Sequence, residues 1–170
     1  VSEPIARMGA RVTGIDPGEE IVAAARAHAA DGGLAIDYRV AQVQDLVAAS
    51  ERFDLVLCLE VVEHVPDVGA FLADCGKLVA PGGLMIVSTI NRTLKSFALA
   101  IVGAEYVLRW LPRGTHTWDR FITPDELATH LRKAGMGLAM ERGLVFNPLS
   151  GRWLLAGDMD VNYMVSAVQA

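Results

Sequence analysis

The run Phe53-Asp-Leu-Val-Leu-Cys-Leu59 is followed at once by Glu60. A nearly continuous apolar stretch of this length, without polar alternation, marks a strand covered on both faces. Such a strand needs helices above and below it, which points to a parallel sheet with crossover connections. Asp54 opens the strand and is assigned to anchoring a neighbouring loop. The polar residues that come next then lie at the carboxyl end of the strand, where open α/β sheets bind their ligands.

The rest of the chain keeps the same rhythm. Residues 2–8 have helical spacing and Gly9 stops them. Residues 11–15 read as a short buried strand that ends at Asp16, with Pro17-Gly18 turning the chain. Residues 19–30 are alanine-rich and helical, closed by Asp31-Gly32-Gly33. Residues 34–40 alternate as a strand. Residues 68–78 are helical, Pro81-Gly82-Gly83 forms a turn, and 84–88 forms another strand. A strong helix covers 123–134, with Thr123 as N-cap, Pro124 at N1 and Glu126 completing a capping box. Strands at about 138–145 and 160–168 end the chain. The expected fold is α/β and Rossmann-like, a mostly parallel doubly wound sheet with an antiparallel last strand. Residues 1–170 are expected to form a single domain, with 91–118 as an inserted apolar helix or lid.

Composition removes several classes. Apolar residues make up 52% and charged residues 21%, which excludes a disordered chain. The net charge of −5 argues against nucleic acid as the main partner, because phosphate binding calls for a basic face. The two cysteines, Cys58 and Cys75, have no metal-type spacing and fall in core segments, so they read as buried thiols of a reducing compartment. No secretory signal opens the chain. The longest apolar stretch, within 97–111, is broken by Glu105 and is too short for a clean span.

Three constellations carry chemistry. In Val12-Thr-Gly-Ile-Asp16, an acid at the end of a second strand can accept both hydroxyl protons of a ribose; it also reads simply as a turn aspartate before Pro17. In Glu60-Val-Val-Glu63-His64-Val-Pro-Asp67, two carboxylates and an imidazole can converge if the chain turns there, a donor set that suits a divalent cation. The same segment also reads as a loop with no metal. The joint Leu78-Val-Ala-Pro-Gly-Gly-Leu-Met-Ile-Val-Ser88 is architectural.

In this order and spacing, the three resemble the class I S-adenosylmethionine-dependent methyltransferases. Ser88-Thr-Ile-Asn-Arg92, Lys95-Ser96, Val102-Gly-Ala-Glu-Tyr106, Gly114-Thr-His116, Phe146-Asn-Pro148 and Asp160-Val-Asn-Tyr-Met164 narrow the resemblance to the bacterial ubiquinone-biosynthesis O-methyltransferase family, over essentially the whole chain. The resemblance implies methyl transfer from S-adenosylmethionine to a ring hydroxyl of a polyprenyl catechol or quinol. It assigns Asp16 to the cofactor ribose and Leu59 to the adenosyl side, with Ile15, Val43 and Gln44 as further cofactor contacts. It matches Glu60, Glu63 and His64 to ligands of a divalent cation such as Mg²⁺. The family's first strand and glycine-rich loop, which wrap the methionine part of the cofactor, have no counterpart here. The chain is therefore expected to be part of a longer product.

A catechol hydroxyl must lose its proton to become a nucleophile. A bound cation at Glu60, Glu63 and His64 would favour that loss. Otherwise His64 or His116 would take the proton directly, while His28 and His130 read as surface residues. In 91–118 the apolar residues and aromatics Tyr106 and Trp110 stand among Arg92, Lys95, Arg109 and Arg113. That mixture suits an interfacial helix on an anionic membrane, or equally a lid or dimer helix. The expected setting is a cytoplasmic protein at the periphery of the inner membrane, with other proteins of the pathway as partners. Three rival readings stand beside this one: an S-adenosylmethionine-dependent methyltransferase acting on another small molecule, a nucleotide-binding dehydrogenase, which would use the same acid after a second strand, and a non-catalytic methyltransferase-like scaffold subunit.

Overall fold

A computed structural model of the chain describes residues 1–97, 118–147 and 151–169. The chain divides into two compact units, Val1–Glu51 and Arg52–Ala170.

The first unit holds α1 (Ser2–Arg7), β1 (Thr13–Asp16), α2 (Glu19–Asp31), β2 (Asp37–Val40) and α3 (Val43–Ala48). Strands β1 and β2 pair in parallel, with Asp16 opposite Val40. The crossover between them is α2, which buries Val22 and Ala29. Helix α3 does not emerge from sequence periodicity, because six residues show too few turns of a pattern. Its start is fixed instead by a reciprocal box between Gln42 and Asp45, in which the Gln42 amide donates to Asp45 Oδ2 at 2.8 Å.

The second unit holds β3 (Phe53–Leu59), α4 (Val68–Leu78), β4 (Val79–Ile90), the three-residue α5 (Leu94–Ser96), a 3₁₀ turn at Trp118–Arg120, α6 (Pro124–Lys133), β5 (Met136–Asn147), β6 (Arg152–Ala156) and β7 (Asn162–Gln169). Its five-stranded sheet has the order β3-β4-β7-β5-β6. Strand β3 is parallel to β4, β7 is antiparallel to β4 and to β5, and β6 is antiparallel to β5. Strands β3, β4 and β5 therefore share one direction, and the last strand runs against them from the middle of the sheet. The antiparallel last strand is as the sequence suggests; the additional edge strand β6 is not.

Capping fixes the helices that cover this sheet. The Asp67 carboxylate accepts the Ala70 amide at 2.9 Å and starts α4, a cap that contributes about 1 kcal/mol. The expected box at α6 is present: Thr123 Oγ1 accepts from the Glu126 amide, and Glu126 Oε2 accepts from the Thr123 amide at 2.9 Å. Leu72, Cys75 and Leu78 of α4, Leu127 and Leu131 of α6, and Met85, Val87, Tyr163 and Val165 of the sheet form the core. Tyr163 is fully buried, and its hydroxyl donates to the Ile122 carbonyl at 2.8 Å.

Two expectations need correction. The strand expected at 84–88 is longer, and the Pro81-Gly82-Gly83 segment falls inside β4 at a shift in pairing register: Phe53 faces Val79, while Leu55 faces Leu84. Gly82 has φ +74°, and a Cβ on Gly83 would sit 2.8 Å from the Ala80 carbonyl and 3.0 Å from that of Asp54, so the segment requires glycine at both positions. Strand β3 is not covered on both faces: Leu55 is 41% exposed. Among the described residues β3 pairs only with β4, and β1 pairs only with β2.

Candidate functional site

In the first unit, Asp16 stands at the carboxyl end of β1 and is half-buried. Its Oδ1 accepts the Gly18 amide at 2.7 Å, closing the turn around Pro17. Its carbonyl accepts the Ala41 amide at 3.2 Å and ties the strand end to the loop after β2. Among the described residues, no hydrogen bond reaches Oδ2. The turn role and a ligand role are thus divided between the two oxygens of one carboxylate. Ile15 precedes Asp16 on β1, half-buried; Val43 is buried at the first position of α3, and Gln44 beside it is exposed.

In the second unit, β3 ends at Leu59, and Glu60 turns the chain with φ +55°. That left-handed conformation costs a non-glycine residue about 1–3 kcal/mol and persists only where its surroundings over-determine it. Ser88 does so twice: its carbonyl accepts the Glu60 amide at 3.0 Å, and its Oγ donates to Glu60 Oε1 at 2.7 Å. The neighbouring Thr89 Oγ1 donates to Glu63 Oε2 at 2.8 Å. Adjacent hydroxyls on β4 thereby hold the two glutamates that follow β3. Thr89 is fully buried and Glu63 is 4% exposed. The other oxygen, Glu63 Oε1, is buried and has no hydrogen-bond partner among the described residues.

His64 closes the same turn through its amide, which donates to the Val61 carbonyl at 2.9 Å. Its ring is half-exposed, with Nε2 at 3.9 Å from Glu63 Oε1, beyond hydrogen-bond reach. Glu60, Glu63 and His64 thus follow one strand end, but each carboxylate takes a separate hydroxyl partner. Among the described residues, no group of three or more His, Cys, Asp or Glu side chains is arranged to hold a metal ion. His116 lies outside the described residues. His28 is exposed and pairs with Glu3; His130 is half-buried rather than on the surface.

The described ends of the inserted segment are anchored. The Asn91 amide donates to the Val161 carbonyl at 2.7 Å, and Asn91 Nδ2 to the Met159 carbonyl at 2.9 Å. Trp118 Nε1 donates to the Thr93 carbonyl at 3.2 Å, joining the two ends. Arg92 pairs with Glu126. Burial pushes the Glu126 carboxyl upward, but the Thr123 amide and Arg92 outweigh it and hold the group below its ordinary value. The remaining residues of the insertion lie outside the described set. Among the described helices, none is long and apolar enough to cross a membrane.

Sequence reasoning missed Ser88 and Thr89 as partners of the two acids. The available signal was a pair of hydroxyl residues at the carboxyl end of an otherwise apolar strand, where buried polar groups must find partners. It missed the Glu60 conformation altogether, since a glutamate before two valines carries no left-handed signature.

A family described as Methyltransferase domain matches residues 1–87. A curated protein of Rhodopseudomonas palustris (strain BisB18), named ubiquinone biosynthesis O-methyltransferase, is 58% identical over 168 residues, 99% of this chain and 66% of that protein. A protein of the same name from Azorhizobium caulinodans is 58% identical over 165 residues, 97% of this chain and 65% of its own length. The chain therefore spans slightly less than two thirds of these relatives. Among solved structures, the magnesium protoporphyrin IX methyltransferase of Synechocystis PCC 6803 with bound SAH superposes with a TM-score of 0.66 at 20% identity. The match covers 99% of this chain and 68% of that one. At that identity the likeness concerns the fold.

Proposed function

The chain belongs to the methyltransferase domain family, and on that footing we propose that it transfers a methyl group from S-adenosylmethionine to a ring hydroxyl of a polyprenyl catechol or quinol in ubiquinone biosynthesis. The name carried by relatives at 58% identity supports the substrate class. In this reading residues 1–170 contribute one methyltransferase domain, with 91–118 inserted in it. The structural observation that carries the reading is Asp16, an acid at the carboxyl end of a parallel strand with one oxygen pinned by Gly18 and the other without a hydrogen bond among the described residues. Oδ2 accepts a ribose hydroxyl; Ile15, Val43 and Gln44 add contacts to the cofactor. In the second unit Leu59 takes the adenosyl side.

The sulfonium of the cofactor supplies an activated methyl group. The acceptor oxygen attacks the methyl carbon in line, the carbon–sulfur bond breaks, and its electron pair stays on sulfur. What remains for the protein is alignment and removal of the hydroxyl proton. His64, half-exposed beside the buried Glu63, takes that proton, and His116 is the second candidate. Glu63 Oε1, buried and without a hydrogen-bond partner among the described residues, favours one further reading. Its donor chemistry suits a divalent cation held with Glu60 and His64, which would stabilise a catecholate. The setting is the cytoplasmic face of an anionic membrane, beside other proteins of the pathway.

The test is Asp16→Asn. The Asn carbonyl keeps the Gly18 bond, so the turn survives, while an NH₂ donor replaces the open oxygen. Calorimetry is expected to show S-adenosylmethionine binding weakened about 10- to 100-fold with an unchanged melting temperature, the loss of one charge-assisted contact. Unchanged affinity would remove Asp16 from the site.

A further inference from the structure

The pairing register carries the β5–β6 hairpin past the end of the sheet where the acceptor chemistry is proposed. Leu59, Ser88, Met164 and Arg142 lie in one row across β3, β4, β7 and β5. Ile90, Asn162 and Leu144 form the last row in which β4 and β7 take part. Beyond it, among the described residues, β5 pairs with β6 alone, through Val145, Phe146 and Asn147. Three residues at about 3.4 Å each extend the hairpin roughly 10 Å beyond that edge. Glu60, Glu63 and His64 follow β3 at the same edge. Three strand spacings, about 14 Å, separate β3 from β5.

One face of the overhang continues the face of Ser88, whose hydroxyl holds Glu60. Alternate residues share a face, so Ser88 and Ile90 are followed there by Leu144 and Phe146, with Leu155 and Trp153 as their partners on β6. The Phe146 and Trp153 rings form a tilted pair with centroids 5.4 Å apart. Trp153 is 59% exposed, Leu155 58% and Phe146 41%, while Leu144 is half-buried. These four make an apolar strip two strands wide that starts at the last shared row and runs outward. From Gly143 to Ala156 the sequence has one charged residue, Arg152, and no acid, so a charged ligand finds little to pair with. The three exposed side chains present on the order of 300 Å², whereas a stable dimer needs about 800 Å² from each partner. A strip this narrow fits a linear, uncharged hydrocarbon chain better than it fits a second copy.

We infer that the Phe146–Trp153–Leu155 face of the hairpin is a binding track for the isoprenoid tail of the acceptor, whose ring lies at Glu60, Glu63 and His64. The first units of the tail span the gap between ring and hairpin, and the track separates a prenylated acceptor from a bare one. Its contribution is to binding, made equally before and during methyl transfer, so it falls on KM and not on kcat. This deepens the proposed function, on which it rests for a prenylated substrate.

Kinetics of the purified protein in lipid-free buffer test it, with cyclodextrin carrying a catechol that bears a farnesyl tail or the same catechol without one. The parent is expected to show a KM about 10- to 100-fold lower for the farnesylated compound, at a similar kcat. Trp153→Gln combined with Leu155→Gln is expected to erase that ratio. Leu154→Gln, on the opposite face, is expected to keep it. A second arm needs no turnover: an analogue brominated at the end of its tail quenches tryptophan emission on contact. Trp153→Phe preserves the apolar track, so it is expected to retain the KM ratio while losing the quenching seen in the parent. That arm decides the matter if the double variant folds poorly. An equal KM ratio in parent and double variant, loss of the ratio in Leu154→Gln, or undiminished quenching in Trp153→Phe would overturn the inference. So would a ratio that appears only once vesicles are added, or a parent that sediments as a dimer which the double variant abolishes. A parent that is quenched but methylates neither catechol would instead count against the proposed reaction and leave the track standing.

Discussion

Replacing Thr89 with valine removes one hydroxyl and changes almost nothing else. The side chain is fully buried, and its Oγ1 donates to Glu63 Oε2 at 2.8 Å. Glu63 is itself buried, and its other oxygen has no hydrogen-bond partner among the described residues. Thr89→Val therefore leaves a buried carboxyl with no bond from Thr89 at either oxygen. Valine fills the volume of threonine closely, so no cavity term enters. A hydrogen bond to a charged group contributes about 1.5–3 kcal/mol, against about 1 kcal/mol for a neutral one. With a urea slope of about 2 kcal/mol per M, the midpoint should fall by about 1 M. Trp110, Trp118 and Trp153 are the three tryptophans and all belong to the second unit, so their fluorescence follows that unit alone. The same substitution in a Glu63→Gln background should cost about 1 kcal/mol or less, a coupling that a double-mutant cycle reads directly. A midpoint shift below about 0.3 M, or an equal shift in both backgrounds, would refute the pairing as a source of stability.

Cys58 and Cys75 are free and buried. Burial pushes the Cys75 thiol up to about 12, with Asp74 adding to it, and raises Cys58 as well, helped by Cys75 and Glu63. Neither should react with a thiol reagent at neutral pH until denaturant is added; rapid labelling of the native protein would contradict their placement. Both thiols are held neutral in the fold, so the stability this contributes is complete below the ordinary thiol value of 9.0. It declines as pH rises from there toward about 12. An alkaline unfolding limb that shifts when Cys75→Ser removes one thiol would check the sign. Exhaustive chelation separates the two acceptor readings: turnover that survives it favours His64 as proton acceptor, and turnover restored by Mg²⁺ favours a cation at Glu60, Glu63 and His64.

Much of the fold was legible in the residues. Strand β3 and helix α4 fall where the apolar run and the helical spacing put them, and the Thr123–Glu126 box marks α6 correctly. These elements carry their signals locally. Helix α3 was invisible because six residues display little periodicity and its cap is Gln42, not one of the strong capping residues. Strand β6, Arg152-Trp-Leu-Leu-Ala156, was missed because it shows no alternation: both faces of its hairpin are apolar. The exposure of Leu55 was illegible for another reason. An apolar run reports what a strand tolerates, while coverage depends on which segments lie against it. At the candidate site, Asp16, Glu60, Glu63 and His64 were named by residue type and position. Their geometry was not, because the Ser88 and Thr89 bonds join residues 26 and 28 positions apart, and the left-handed turn at Glu60 is imposed by those bonds.

The central claim is methyl transfer to oxygen. The most direct measurement incubates the purified protein with S-adenosylmethionine labelled in its methyl carbon and a prenylated catechol, then locates the label by carbon NMR. The account predicts an aryl methyl ether, formed at one ring oxygen and lost when the catechol hydroxyls are blocked. Label on a ring carbon, or a protein that binds the cofactor and releases no methylated product, would contradict it.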